Sequence, residues 1–154
     1  MSLSIKVALG QSTMNTPAEL LIPTNLTVDG RTGWSIIGMR YSVQPLHNAV
    51  PATANSNVFI ELNTETGNQL FTDNDSILYE VLQFTGVAAS TTARQIFGNT
   101  ERRLVEPRIT VQPNLYLYLT SSGLTAPVTA YVEVIYDIVK LSDIEVLRLM
   151  QGGA

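Results

Sequence analysis

A chain of 154 residues is most economically one domain, long enough to bury about 70% of the surface its unfolded form would expose. With 13 acidic against 9 basic side chains and a net charge of −4, it is not built for long-range attraction to nucleic acid, and Lys6 is the only Lys or Arg before Arg31. The absence of cysteine removes disulfides and thiolate metal sites.

Charged residues make up only 14% of the chain, against roughly 25% in an ordinary soluble domain. Much of the surface must therefore be neutral and polar or covered by partners, and few like charges keep copies apart. No stretch approaches the ~18 consecutive apolar residues of a membrane span.

The first ten residues alternate Leu3, Ile5, Val7 and Leu9 against Ser4, Lys6 and Ala8. This is a strand pattern rather than the continuous apolar core of a signal peptide. A polar stretch follows, then Glu19 to Ile22, Pro23, and Leu26 to Val28. Pro23 breaks a hydrogen-bonding ladder, so the segment reads as an edge strand or two short strands with a bend. After turns at Gly30 and Gly33, residues 34–43 predict a half-buried strand. Ile37, Met39, Tyr41 and Val43 share one face, Trp34, Ile36, Arg40 and Ser42 the other, and Gly38 marks a bulge or close approach.

Residues 45–57 are loop by composition and carry the chain's one histidine, His47. Strands are then predicted around Val58, Ile60 and Leu62, over 77–84 and over 104–111, where Pro107 again points to an edge or a bulge. Residues 94–98 suit a short strand or one helical turn. Residues 115–120 and 131–141 read as a hairpin with a long loop containing Gly123 and Pro127. Ser142 and Glu145 then have the spacing of a capping box, with Leu141 and Val146 at the staple positions. The helix they begin is expected to end near Met150, ahead of Gly152 and Gly153. A helix of about two turns is too short to persist alone in water, so it needs a surface to lie on.

Chemistry is sparse. A catalytic serine would need His47 as its base, yet no Gly-x-Ser-x-Gly elbow is present. Zinc has one histidine and no cysteine to bind it. Asp73 and Asp75 offer oxygens to Ca²⁺, but Leu78 and Phe84 stand where an EF-hand loop needs glycine and glutamate, so an Asx turn is the simpler account. Glu61, Glu80, Glu106 and Glu133 all lie on predicted strands and would support glycoside hydrolysis only if two of them met in a cleft. Tyr116, Tyr118, Tyr131 and Tyr136 suit stacking on sugars or bases, or plain packing. Asn25 and Asn74 begin glycosylation-type triplets, which carry no weight without a secretory signal. The expectation is a protein with no catalytic, cofactor-binding or metal-binding residues.

Eight or nine short extended segments, no helical periodicity before Ser142 and no fixed-length repeat predict an all-β fold: an antiparallel β-sandwich, a jelly roll of about eight strands, with a short C-terminal helix. The sandwich is expected to occupy residues 1–141. Residues 142–154 form a helix and tail suited to act as an inter-subunit arm.

This order of elements, with a loop-rich middle and a long final strand, resembles the single jelly-roll capsid proteins of small icosahedral viruses. The resemblance is architectural and covers most of the chain without a residue motif. It implies a self-assembling coat or virion component, located in the virion, whose partners are copies of itself and other virion proteins. In such proteins the termini reach neighbours, and the helix resembles such an arm. Its apolar residues Ile144, Val146, Leu147, Leu149 and Met150 are the expected subunit interface, with Ile144, Leu147 and Met150 on one side and Val146 and Leu149 on the other. One departure matters: the strongly basic N-terminal arm of genome-condensing coat proteins is missing, which favours a minor, vertex or membrane-lined virion role over direct genome binding. A second reading is a jelly-roll module that recognises carbohydrate or a cell surface, as in fibre heads and lectin-like domains, through loops 44–57 and 121–129.

Overall fold

The computed structural model describes residues 1–27, 31–45, 49–51, 54–67, 76–86, 93–98 and 100–152. Nine strands and one helix are formed by these residues: β1 (Leu3–Gly10), β2 (Ala18–Pro23), β3 (Thr32–Gln44), β4 (Asn55–Asn63), β5 (Ser76–Gly86), β6 (Ala93–Phe97), β7 (Glu101–Thr110), β8 (Asn114–Ser122), β9 (Thr129–Lys140) and α1 (Asp143–Gly152). The strands form a four-stranded sheet, β1-β9-β3-β7, and a five-stranded sheet, β2-β8-β4-β5-β6, antiparallel throughout. Apart from the β4-β5-β6 meander, every connection passes from one sheet to the other, which is the winding of a jelly roll. The predicted fold class is the observed one.

That winding corrects one expectation. Residues 115–120 and 131–141 do not form a hairpin, because β8 pairs with β2 and β4 while β9 pairs with β1 and β3. Both strands are flanked on two sides, so their runs are apolar enough to look like partners. The intervening loop is the step between sheets.

Alternation along each strand drives the inward residues into one core between the sheets. Ile36, Val58, Ile60, Leu62, Leu115, Leu117, Leu119 and Val134 are almost fully removed from solvent, each contributing about 1.5–3 kcal/mol in side-chain transfer. The long strand β3 is inward-facing over its whole length only because its phase changes midway. Its register slips between Ile36 and Gly38 against both β7 and β9. Trp34 and Ile36 point inward before the slip, and Met39, Tyr41 and Val43 after it. Ile37 therefore does not share the inner face with Met39, as simple alternation implied; it is the extra residue of the bulge. Trp34 stacks on Tyr136 with ring centroids 3.6 Å apart.

On β7 the pairing runs from Arg103 opposite Gly38 to Arg108 opposite Ile36, so the strand bows outward between them around Pro107, with Val105 fully exposed. Pro107 thus marks both an edge and a bulge, and Pro23 closes the edge strand β2. Residues 94–98, read as a strand or a helical turn, contribute to β6.

Gly38 allows the bulge because a Cβ there would lie 2.5 Å from the Arg102 carbonyl oxygen, a backbone atom that cannot swing aside. Gly38→Ala is expected to lower stability by about 1–3 kcal/mol, read as a lower denaturant midpoint with an unchanged slope in urea unfolding.

Candidate functional site

The connections sort to the two ends of the sandwich. At one end the β1–β2, β3–β4 and β8–β9 loops are tied together. Thr125 donates its backbone N–H to the Ala49 carbonyl at 2.8 Å, and Gln11 to that of Val128 at 3.0 Å. Gln11, itself buried, donates from Nε2 to the Ser121 hydroxyl at 2.8 Å, while Asn15 accepts the Leu124 N–H at 3.0 Å. The two loops expected to form a recognition surface, 44–57 and 121–129, are therefore neighbours.

At the other end lie the β2–β3 and β7–β8 loops and α1. Thr24 bonds the carbonyls of Pro113 and Gln112, and Leu141 donates to the Arg31 carbonyl at 2.8 Å. The helix starts as its sequence demands. The Ser142 hydroxyl accepts the Glu145 N–H at 3.3 Å, and the Glu145 carboxylate accepts both the backbone N–H and the hydroxyl of Ser142, at 2.7 and 2.8 Å. These bonds, the backbone one foremost, hold the Glu145 carboxyl below the usual carboxylate range. Asp143 pairs with Arg31 at 2.8 Å, in solvent, where such pairs add little. The helix runs to Gly152, slightly beyond the expected Met150.

Tertiary structure decides which side of α1 faces in. Val146 and Leu141 are buried, the staple pair closing on the sandwich, and Leu149 is half-buried. A cavity of about 150 Å³ separates Val146 and Met150 from Thr27, Thr32, Val111, Gln112 and Pro113. On the outward side Ile144 and Leu147 are 77% and 58% exposed, whereas Met150, expected beside them, is one turn from Val146 and lines the same cavity, 47% exposed at the edge of the helix's seat. Two large apolar side chains spaced i, i+3 on the outer face of a short, capped helix have no partner that covers them among the described residues.

The other residues singled out by sequence do not converge. Glu61 and Glu80 lie on opposite faces of the five-stranded sheet: Glu61 is fully buried on the outward face opposite Tyr79 and Tyr118, and Glu80 is buried on the inward face opposite Ile60. Glu133 is on the outward face of the other sheet, and Glu106 belongs to the outward bow of β7. No two of the four share a cleft of the kind glycoside hydrolysis needs. Tyr116 and Tyr118 lie on the outer face of the five-stranded sheet, Tyr136 is in the core, and Tyr131 is half exposed on the four-stranded sheet. Asn25 is exposed, in the left-handed backbone region at φ 57°. His47, Asp73, Asn74 and Asp75 lie outside the described residues.

Sequence reasoning did not find the ion-pair row beside Tyr131. Arg40 bonds Glu101 at 3.0 Å and approaches Glu133 at 3.6 Å, and Arg103 also bonds Glu101. The bonds from Arg103 and Arg40 push the Glu101 carboxyl down, and Glu101 raises Arg40 in turn. Of these, Arg40, Glu133 and Tyr131 line a shallow cleft of about 610 Å³, along with Lys6, Ala8, Ser42 and Thr100. Residues distant in sequence make it, so only the strand register reveals it. Inside the sandwich, burial and then the charge of Glu80 raise the Tyr41 phenol far above its ordinary value.

No protein-family model matches the chain, and no curated protein sequence matches it. A solved structure, VP1 of the Trichodysplasia spinulosa-associated polyomavirus, is similar to it with a TM-score of 0.54 and 14% identity, over 92% of this chain and 96% of that one. That neighbour is a jelly-roll capsid protein. At this identity the likeness is one of fold, and this chain has a capsid-like jelly roll. Among the described residues no helix is long and apolar enough to cross a membrane.

Ser142→Ala is expected to destabilise α1 by about 1 kcal/mol, seen as faster amide exchange in the helix while the sandwich amides are unchanged. The capping carboxylate also has a pH signature. Because its folded pKa is depressed, its contribution is complete above the ordinary glutamate range and fades as pH falls through the folded value. An NMR titration of Glu145 should place its midpoint below that of an unstructured glutamate, and Ser142→Ala should move it up.

Proposed function

We propose that this chain is a structural protein that assembles with copies of itself into a viral shell, and that the outward face of α1 is one contact between copies. The observation that carries this reading is the outer row Ile144 and Leu147, held in solvent on a helix whose cap and staple fix its position. A solvated tail has no need of such a row. The capsid-like fold and the thinly charged surface support the same reading. So does the placement of α1 at one end of the sandwich, from which it can reach a neighbour. With a net charge of −4 and Lys6 alone among basic residues before Arg31, the chain holds to neighbours rather than condensing a genome, and other virion proteins are suitable further partners. Its place is the virion.

A second reading, a module recognising carbohydrate or a cell surface, is favoured by the joining of loops 44–57 and 121–129 at the opposite end. The two are separable by experiment. Ile144→Ser combined with Leu147→Ser should leave a folded monomer with an unchanged unfolding midpoint but abolish the large species seen by light scattering and electron microscopy. Assembly by the wild type should change little between 0.05 and 1 M NaCl, because the contact is apolar. A wild type that stays monomeric at micromolar concentration and binds a glycan array through the loop end would establish the second reading instead. Val146→Ala, by contrast, should cost about 1–2 kcal/mol of stability in urea unfolding, since it empties the helix's own seat.

A further inference from the structure

A sandwich of two open sheets has four edge strands, each presenting unpaired backbone N–H and C=O groups that natural proteins blunt by shortening, proline, bulges or charge. Three of the four are blunted here. β2 is short and ends at Pro23. β6 spans only Ala93–Phe97. β7 bows outward around Val105 and Pro107. The fourth, β1, has none of these devices beyond Lys6. It pairs with β9 in unbroken register from Leu3 opposite Tyr136 to Gly10 opposite Thr129, so it is regular and straight, and among the described residues nothing pairs with its other edge.

We infer that this edge pairs with β1 of a second copy, antiparallel about a two-fold axis at Val7, joining two four-stranded sheets into one continuous sheet. The sequence of β1 is self-complementary in that register. Inward-facing Ile5 meets Leu9, which is already buried, and Val7 meets Val7, so that Ile5 and Val7, only partly buried in the single chain, are covered. Outward-facing Lys6 meets the small Ala8, and Ser4 meets Gly10, all exposed in the single chain. Neighbouring registers are poorer. A shift that centres the axis on Lys6 sets two like charges directly opposite, which is destabilising. A shift by an odd number of residues sets core-facing against solvent-facing side chains along the whole strand. Centring on Ala8 shortens the paired segment. A self-complementary patch of this kind is what a two-fold contact requires. The inference uses a surface separate from α1 and does not depend on α1 mediating shell contacts.

The lack of cysteine makes the register directly testable in the full-length chain. In the proposed dimer positions 6 and 8 of the two copies are opposite each other, about 4.5–5.5 Å apart at Cα, whereas positions 6 and 6 are offset beyond the roughly 7 Å limit for a disulfide. Lys6→Cys/Ala8→Cys should therefore oxidise to a covalent dimer, and Lys6→Cys alone should not. Ala8→Lys places a cation opposite Lys6 twice per dimer and should weaken association by about tenfold in sedimentation; Ala8→Glu, on the same exposed site, should leave it equal or tighter. Equal association for Ala8→Lys and Ala8→Glu, a disulfide from Lys6→Cys alone, or no disulfide from the double variant would each overturn the inference. The Ile144→Ser/Leu147→Ser variant keeps the two contacts distinct: it should lose the large species yet still form the disulfide-linked dimer when it carries both cysteines.

Discussion

The bulge at Ile37 and Gly38 is the constraint on which the sandwich depends. β3 is the one strand of its sheet that must pair along nearly its full length with β9 on one side and reach β7 on the other. A regular strand of that length has one inward face, and its apolar residues would then be split between core and solvent. One inserted residue changes the phase, so that Trp34 and Ile36 on one half and Met39, Tyr41 and Val43 on the other all reach the same core. The close approach of the Gly38 and Arg102 backbones is the cost of this arrangement, and only glycine accommodates it. The outward bow of β7 is its counterpart on the partner strand, and it leaves that edge irregular.

From this core the two ends of the molecule acquire different characters. One end is a hydrogen-bonded bundle of loops in which Gln11 and Asn15 satisfy backbone groups that the turns leave without partners. The other carries a helix whose inner side completes the end of the sandwich and whose outer side, among the described residues, is left uncovered. The same polarity holds at the sheet edges, where β2, β6 and β7 are irregular or short and β1 is not. One helix face and one strand edge are thus without a partner among the described residues, on a surface with few charges, and the proposed contacts between copies rest on these two features.

Electrostatics plays a local part. Glu101 and Glu133 find Arg40 and Arg103, Asp143 finds Arg31 and Glu145 caps the helix, and such exposed pairs contribute orientation more than stability. The buried acids Glu61 and Glu80 sit on opposite faces of one sheet, and this separation, set by strand alternation, keeps them from acting as a pair.

Local signals were legible in the sequence wherever the determining interaction is local. Alternation named the strands, Pro23 and Pro107 marked edges, Gly38 marked the bulge, and Ser142 with Glu145 started the helix, because each rests on bonds or steric limits within a few residues. What the chain alone left open depends on partners distant in sequence. β8 and β9 look like a hairpin until the sheets separate them, and Ile37 looks inward until the register slips. The ion pairs of Arg40 exist only because β3, β7 and β9 lie side by side. The helix is the clearest case: its five apolar residues were visible from the start, but both of its sides are apolar, and periodicity has no means of ranking them. Only the surface beneath, made by the β2–β3 and β7–β8 loops, selects Val146 as the inward anchor, sets Met150 beside it at the edge of the same cavity and leaves Ile144 and Leu147 facing out.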